Sequence, residues 1–302
     1  MLLLGRTPAS AAETSDGITA VASRTSDDYK RTRLSDGSFQ PEYYSFGKGG
    51  TWGGEIRDPT IDKLSFLNVA HVIAVPLAGQ QYFPATDPSK TRLLIMVYWG
   101  TTAVPMPTQN SAVLQNFREA QDNLDKYITR APSGRETVSG GGLADAAMAQ
   151  WSAALTMLNV DNQQRTQTNF MNAAMLGYDS TGLIGTELGS YVRGTPLGVE
   201  RDDLVLEIEE NRYFVVLMAY DFQLMWKQRK HKLLWQTRFS IRERNHQFDR
   251  DLPAMAQYAS QYFGQDSHGL VRKEVPLGHV DIGAMKSLGE VQGIETTPSS
   301  TK

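Results

Sequence analysis

Few residues in this chain have the type and spacing that chemistry requires, and they fall in two places. The first is the run Gly47-Lys48-Gly49-Gly50-Thr51-Trp52-Gly53-Gly54. Glycine-rich loops let backbone N–H groups approach a phosphate, which a lysine then neutralises. The nucleotide patterns are not met. A P-loop needs Gly-Lys-Ser/Thr at its end, whereas Lys48 lies inside the run. A dinucleotide fingerprint would place its third glycine where Trp52 stands. The run therefore reads as a flexible turn or as a ligand loop, with Lys48 inside it and Trp52 stacking on what is bound. The second place is Asp221, which interrupts an apolar strand pattern on the face of Val215, Leu217 and Ala219. Such an acid is either a change of polarity at a strand end or a site residue.

Other chemistries find less support. The five histidines show no H-x-x-x-H or H-x-H spacing, so no metal site is expected. There is no glycine-x-serine-x-glycine elbow. Asp202-Asp203 and Glu207, Glu209 and Glu210 offer paired carboxylates, but their spacing fits a solvated face better than a glycosidase cleft. Without cysteine there can be no disulfide, thiol catalysis or iron–sulfur cluster. No cofactor is expected. A net charge of −3 with no basic stripe argues against nucleic acid as a partner. No apolar run reaches membrane-spanning length, so no transmembrane segment is expected.

The elements that would position these residues follow from periodicity. Glu42–Phe46 reads as an aromatic strand. A helix follows from about Pro59 to Gly79, with Ile61, Leu64, Leu67, Val72 and Val75 on one face. Thr91–Trp99 is apolar on both faces and is expected to be a central strand. Ser111–Thr129 and Leu143–Tyr178 read as helical, separated by a glycine linker, the second segment being either two helices or one bent helix where the polar run Asp161–Asn169 interrupts it. In Phe214–Trp226 every second residue is apolar. Leu233, Trp235, Thr237, Phe239 and Ile241 alternate in the same way beyond the turn at Lys227–Lys232. This predicts one long antiparallel hairpin, followed by a helix through Leu252, Met255, Ala259 and Phe263.

The expected fold class is α+β: an antiparallel sheet with a long hairpin in its C-terminal half, helices packed on one side, and a helical insertion. The expected organisation is a flexible lead-in over 1–40, a core over 41–109 and 206–264, an insertion over 110–205 and a loose tail over 265–302.

This order resembles a family of uncharacterised bacterial envelope α+β domains, often lipoproteins. The likeness is carried by Tyr43-Tyr44-Ser45-Phe46, Ile61 to Gly79, Leu93 to Tyr98, Lys232 to Thr237 with its tryptophan, and Ala254 to Phe263. It covers about half the chain. The absent lipidation cysteine and the helical insertion depart from the family pattern. The resemblance implies an exported location and a non-enzymatic role, and it supplies no catalytic residues. Apolar Met1–Leu4 followed by Ala9-Ser10-Ala11 reads as the end of a truncated signal peptide, which agrees with a periplasmic or secreted protein. A cytoplasmic location is the alternative. The expected role is binding of an unknown protein or small ligand, or a structural accessory function. The alternative is a hydrolase whose site is assembled from distant residues.

Overall fold

The computed structural model describes residues 18–52, 58–104, 111–130, 136–178 and 194–274. The chain divides into two compact units. One comprises 1–102, 175–178 and 211–302; the other comprises 103–174 and 179–210.

The first unit is α+β. Its strands are β1 (Ile18–Thr25), β2 (Glu42–Trp52), β3 (Tyr82–Pro84), β4 (Leu93–Thr101), β7 (Arg212–Asp221), β8 (Leu233–Arg242) and β9 (Leu270–Glu274). They form a seven-stranded sheet in the order β3-β2-β4-β7-β8-β1-β9. Strand β2 pairs in parallel with β3 and β4, and the remaining pairs are antiparallel. One face presents Leu93, Ile95, Val97 and Trp99 from β4, Val215 and Leu217 from β7, and Trp235 and Phe239 from β8. Helices α2 (Phe66–Gly79) and α7 (Phe248–Ala259) cover it with Val69, Ile73, Leu77, Leu252, Met255 and Ala256.

Local signals account for the ends of these elements. Asp58 caps the single turn α1 (Pro59–Asp62) by accepting from Thr60 N at 2.8 Å, with Pro59 at the first helical position. Ser65 caps α2. The expected single helix is thus two, and its inner face is Val69, Ile73 and Leu77, while Leu67 and Val75 are exposed.

The hairpin is present, but the face assigned to β7 is inverted. Val215 lies opposite Phe239 and Ala219 opposite Trp235, so Tyr213, Val215, Leu217 and Ala219 share the core side with Trp235. Met218 and Tyr220 lie on the second face and are half-buried. Period-2 patterning cannot choose between two apolar faces, and a one-residue error exchanges them. The strand also ends at Asp221 instead of Trp226, and Phe222–Gln228 form helix α6, closed by Arg229 in the left-handed region. The second faces of β4 and β7 are only half-buried, at Leu94, Met96, Tyr98, Met218 and Tyr220.

Two segments expected to be loose belong to the sheet. Within the expected flexible lead-in, β1 sits between β8 and β9, with Thr19, Val21 and Ser23 fully inside. The hydroxyl of Ser23 is satisfied in place, whereas that of Thr19 has no hydrogen-bond partner among the described residues. Ser23 Oγ lies 2.7 Å from Thr237 Oγ1 and donates to the Tyr262 carbonyl at 2.9 Å. Within the expected loose tail, Leu270–Glu274 form β9. Residues 1–17, including the signal-peptide reading, and 275–302 lie outside the described residues.

The second unit holds helices α3 (Ala112–Asp125), α4 (Gly142–Leu176, whose last two residues belong to the first unit) and α5 (Pro196–Ile208), with the small pair β5 (Ile128–Arg130) and β6 (Glu136–Val138). Helix α4 runs through the expected bend without a break. The polar run does not interrupt it because Arg165 and Asn169 both hold the Glu209 carboxylate, at 2.5–2.7 Å. This ion pair also accounts for one acid of the 202–210 cluster.

Candidate functional site

The structure does not bring Lys48, Trp52 and Asp221 together. Lys48 lies opposite Val97 and Trp52 opposite Gly100, while Asp221 lies opposite Leu93. Seven positions of strand β4 therefore separate Trp52 from Asp221, about 23 Å at ~3.3 Å per residue. Asp221 is the cap of α6: its carboxylate accepts from Leu224 N at 2.9 Å. The glycine run is strand β2 with a bulge at Gly49, not a loop, through Trp52. Its glycines make room for side chains of the neighbouring strand. A Cβ at Gly47 would fall 2.2 Å from Met96 Sδ, and one at Gly49 would fall 2.6 Å from the Tyr98 ring. Trp52 is half exposed at the strand end. Gly53 and Gly54 lie outside the described residues.

A different group of residues does converge, in the segment that follows β1. Residues 32–40 form a small hairpin in which Arg33 bridges Phe39 and Gly37 turns with φ +84°. Arg31 stands just before it and points inward, only 6% exposed. Its guanidinium lies over the rings of both Phe39 (4.0 Å) and Tyr82 (4.1 Å), and that of Arg33 lies over the same Phe39 ring at 4.6 Å. Nη2 of Arg31 donates to the Gln80 carbonyl at 2.5 Å, but Nε and Nη1 have no hydrogen-bond partner among the described residues.

Behind the guanidinium lies a line of buried hydroxyls. Tyr29 donates to Glu42 Oε2 at 3.2 Å, and the Tyr82 hydroxyl lies 3.1 Å from that of Tyr29. Burial, with the Glu42 charge nearby, pushes the Tyr29 phenol well above its ordinary range. Burial and the neighbouring Tyr29 do the same to Tyr82, so both stay protonated. Gly264 closes the arrangement. Its φ is +67°, and a Cβ there would fall 2.1 Å from the Tyr82 hydroxyl and 2.9 Å from Arg31 Cδ.

These residues border a cavity of about 370 Å³, lined by Ser26, Lys30, Arg31, Arg33, Phe39 and Gly264 among others. Two further cavities lie in the helical unit. One of about 600 Å³ runs along Asn159–Phe170 of α4, and one of about 420 Å³ is bounded by Val113, Gln150 and Met157. None of the three is lined by Lys48, Trp52, His71 or Asp221, and only the first unit's cavity adjoins a buried cation. Sequence reading missed this site because its residues sit in a stretch rich in serine, threonine and aspartate that reads as flexible. The one available signal was the alternation Tyr29, Arg31, Arg33 ahead of Phe39.

A second set of titratable groups meets where α1 approaches the sheet. Tyr213 donates to Asp58 Oδ2 at 2.5 Å, and Phe248 N donates to Thr60 Oγ1 at 3.2 Å. Burial works to raise Asp58, but hydrogen bonds from Tyr213 and Thr60 outweigh it and hold the carboxyl below its ordinary value. Glu243 moves the other way, raised by burial and by the Asp58 charge. His246 Nδ1 and Asp251 Oδ2 are 2.9 Å apart but sealed from water. Asp251 also accepts from Gln247 N at 3.0 Å, so the pair serves the start of α7. No group of three or more histidines and acids is placed to hold a metal among the described residues. None of their helices is long and apolar enough to cross a membrane.

No family model matches this sequence, and no curated protein matches it. Among solved structures it is similar to a PDZ domain protein from Parabacteroides distasonis ATCC 8503, with 11% sequence identity and a TM-score of 0.34. That match covers 85% of this chain and 39% of the other, so the chain spans well under half the length of its neighbour. At that score the likeness carries no argument about function.

Proposed function

We propose that this is a binding or accessory protein of the bacterial envelope, exported to the periplasm or beyond, which works by holding a small ligand without chemistry of its own. The observation that carries the binding reading is the cavity beside Arg31, where a buried guanidinium keeps two unused donors next to ligand-sized space. The small-x-small site at Ala9–Ala11 and the absence of cysteine support export. A thermal-shift screen of charged and neutral metabolites tests binding. Retention of stabilisation when the cavity is altered at Phe39 or Lys30 would reject this site. Expression in a bacterial host tests export: a mature N-terminus near Ala12 is expected, and full-length protein in the cytosol would reject it.

One observation favours the alternative of a hydrolase. Asp58 and Glu243 are two carboxyls whose surroundings push their proton affinities apart, as an acid and a base require. Activity on a panel of glycoside and ester substrates that is abolished by Glu243→Gln would replace the binding reading with this one.

A further inference from the structure

We infer that the ligand of the Arg31 cavity is a small oxyanion, its carboxylate or phosphate group held by the Arg31 guanidinium; this rests on the reading of that cavity as a ligand site. A buried cation is tolerated when it is paired and its donors are used. Arg31 meets neither condition among the described residues. It has no ion pair there, and its single hydrogen bond goes to the carbonyl of Gln80. The nearby Glu42 does not supply the missing anion: it is engaged by the Tyr29 hydroxyl and lies 3.7 Å from Arg92 Nε. Because Tyr29 and Tyr82 are held protonated, they cannot serve as counter-charges either.

The cavity wall fits the same class of ligand. Lys30 and Arg33 add positive charge around Arg31. Against them stand Asp27 and Asp266, of which Asp266 is occupied by the backbone N–H of His268 at 2.6 Å. Ser26 supplies a hydroxyl, although that hydroxyl already donates to Asp28 at 2.9 Å. Phe39 and Tyr82 both pack on the guanidinium, at 4.0 and 4.1 Å, which restrains it before anything binds. A planar cation held in this way suits an oxyanion better than it suits a neutral sugar or a cation. Arg31 Nε and Nη1 are closed off from water, so uptake requires Phe39 to swing off the guanidinium. Phe39 lies on the short hairpin after Arg31, where such a movement leaves the sheet intact.

The test is an NMR titration of the full chain, read at the arginine Nε–H signals, with inorganic phosphate, benzoate and glucose as probes. Saturable movement of the Arg31 signal with phosphate or benzoate, and none with glucose, is expected. Arg31→Gln should weaken binding by about tenfold or more, and Lys30→Gln, at an exposed position, should weaken it less. The wild-type titration does not depend on whether the Arg31 variant folds. If glucose shifts the amides of Phe39 and Gly264 while Arg31 stays still with every anion, the cavity is a ligand site and the oxyanion assignment is wrong. If no probe moves any signal around the cavity, Arg31 is a structural clamp and both readings fall.

Discussion

Trp235 stacks on Phe263 with ring centres 6.0 Å apart and planes 16° from parallel, and both side chains are fully buried. The pair joins the middle of the sheet to the end of the helical layer. Trp235→Ala should cost about 3–5 kcal/mol, the range for removing a buried aromatic. Lys230→Ala, exposed between α6 and β8, should stay within about 0.5 kcal/mol of the parent. Urea melts of the two variants check the contrast. A near-neutral Trp235→Ala would mean that this face is not the core.

The Asp251 carboxylate gives stability a defined acid limb. Burial works to raise its pKa, but hydrogen bonds from Arg250, the Gln247 N–H and His246 prevail and hold it below the ordinary value. A group depressed in the folded state contributes fully above its unfolded value, ~3.9 for aspartate. That contribution is lost as pH falls through the lower, folded value. Asp251→Asn should cost about 1–3 kcal/mol at neutral pH and should flatten the decline of stability below about pH 4. Melts of both proteins from pH 3 to 7 would reveal it; parallel curves would sink the assignment.

Asp221 separates a cap from a ligand residue. Asp221→Ala should cost about 1 kcal/mol through the lost bond to Leu224 N. Affinity for any ligand at the Arg31 cavity should not change. A selective loss of binding without loss of stability would return Asp221 to the list of site residues.

Gly49 and Tyr98 should behave as a coupled pair. An added methyl group at Gly49 meets the Tyr98 ring, so Gly49→Ala should cost about 1–3 kcal/mol. In a Tyr98→Ala background the same change should cost much less, because the obstructing ring is gone. A double-mutant cycle by chemical denaturation measures this coupling.

The sequence made the central strands legible because Leu93–Trp99 is an unbroken apolar run of strand length and Leu233–Ile241 alternates in hydrophobicity. It hid β1, whose buried positions Thr19 and Ser23 are polar and whose neighbouring strands lie more than 200 residues away. It also misplaced the glycines of β2. A glycine beneath a neighbour's aromatic ring looks the same in one dimension as a glycine in a turn. The Arg31 site was illegible for a related reason. Arg31, Tyr82 and Gly264 come from three distant segments, and only the folded sheet brings them into contact.

The position of β1 has a consequence for how the protein is made. It is hydrogen-bonded on one side to β8 and on the other to β9, and Ser23 N bonds to Ser267 Oγ across 244 residues of chain. A ribosome delivers β1 long before either neighbour exists, so the strand waits unpaired while nearly the whole sheet is translated. Such distant pairings form slowly, and the sheet can be completed only after β9 has emerged. Until then, an interval of seconds to a minute at about 5–20 residues per second, the nascent chain has no finished sheet and remains open to whatever engages extended polypeptide.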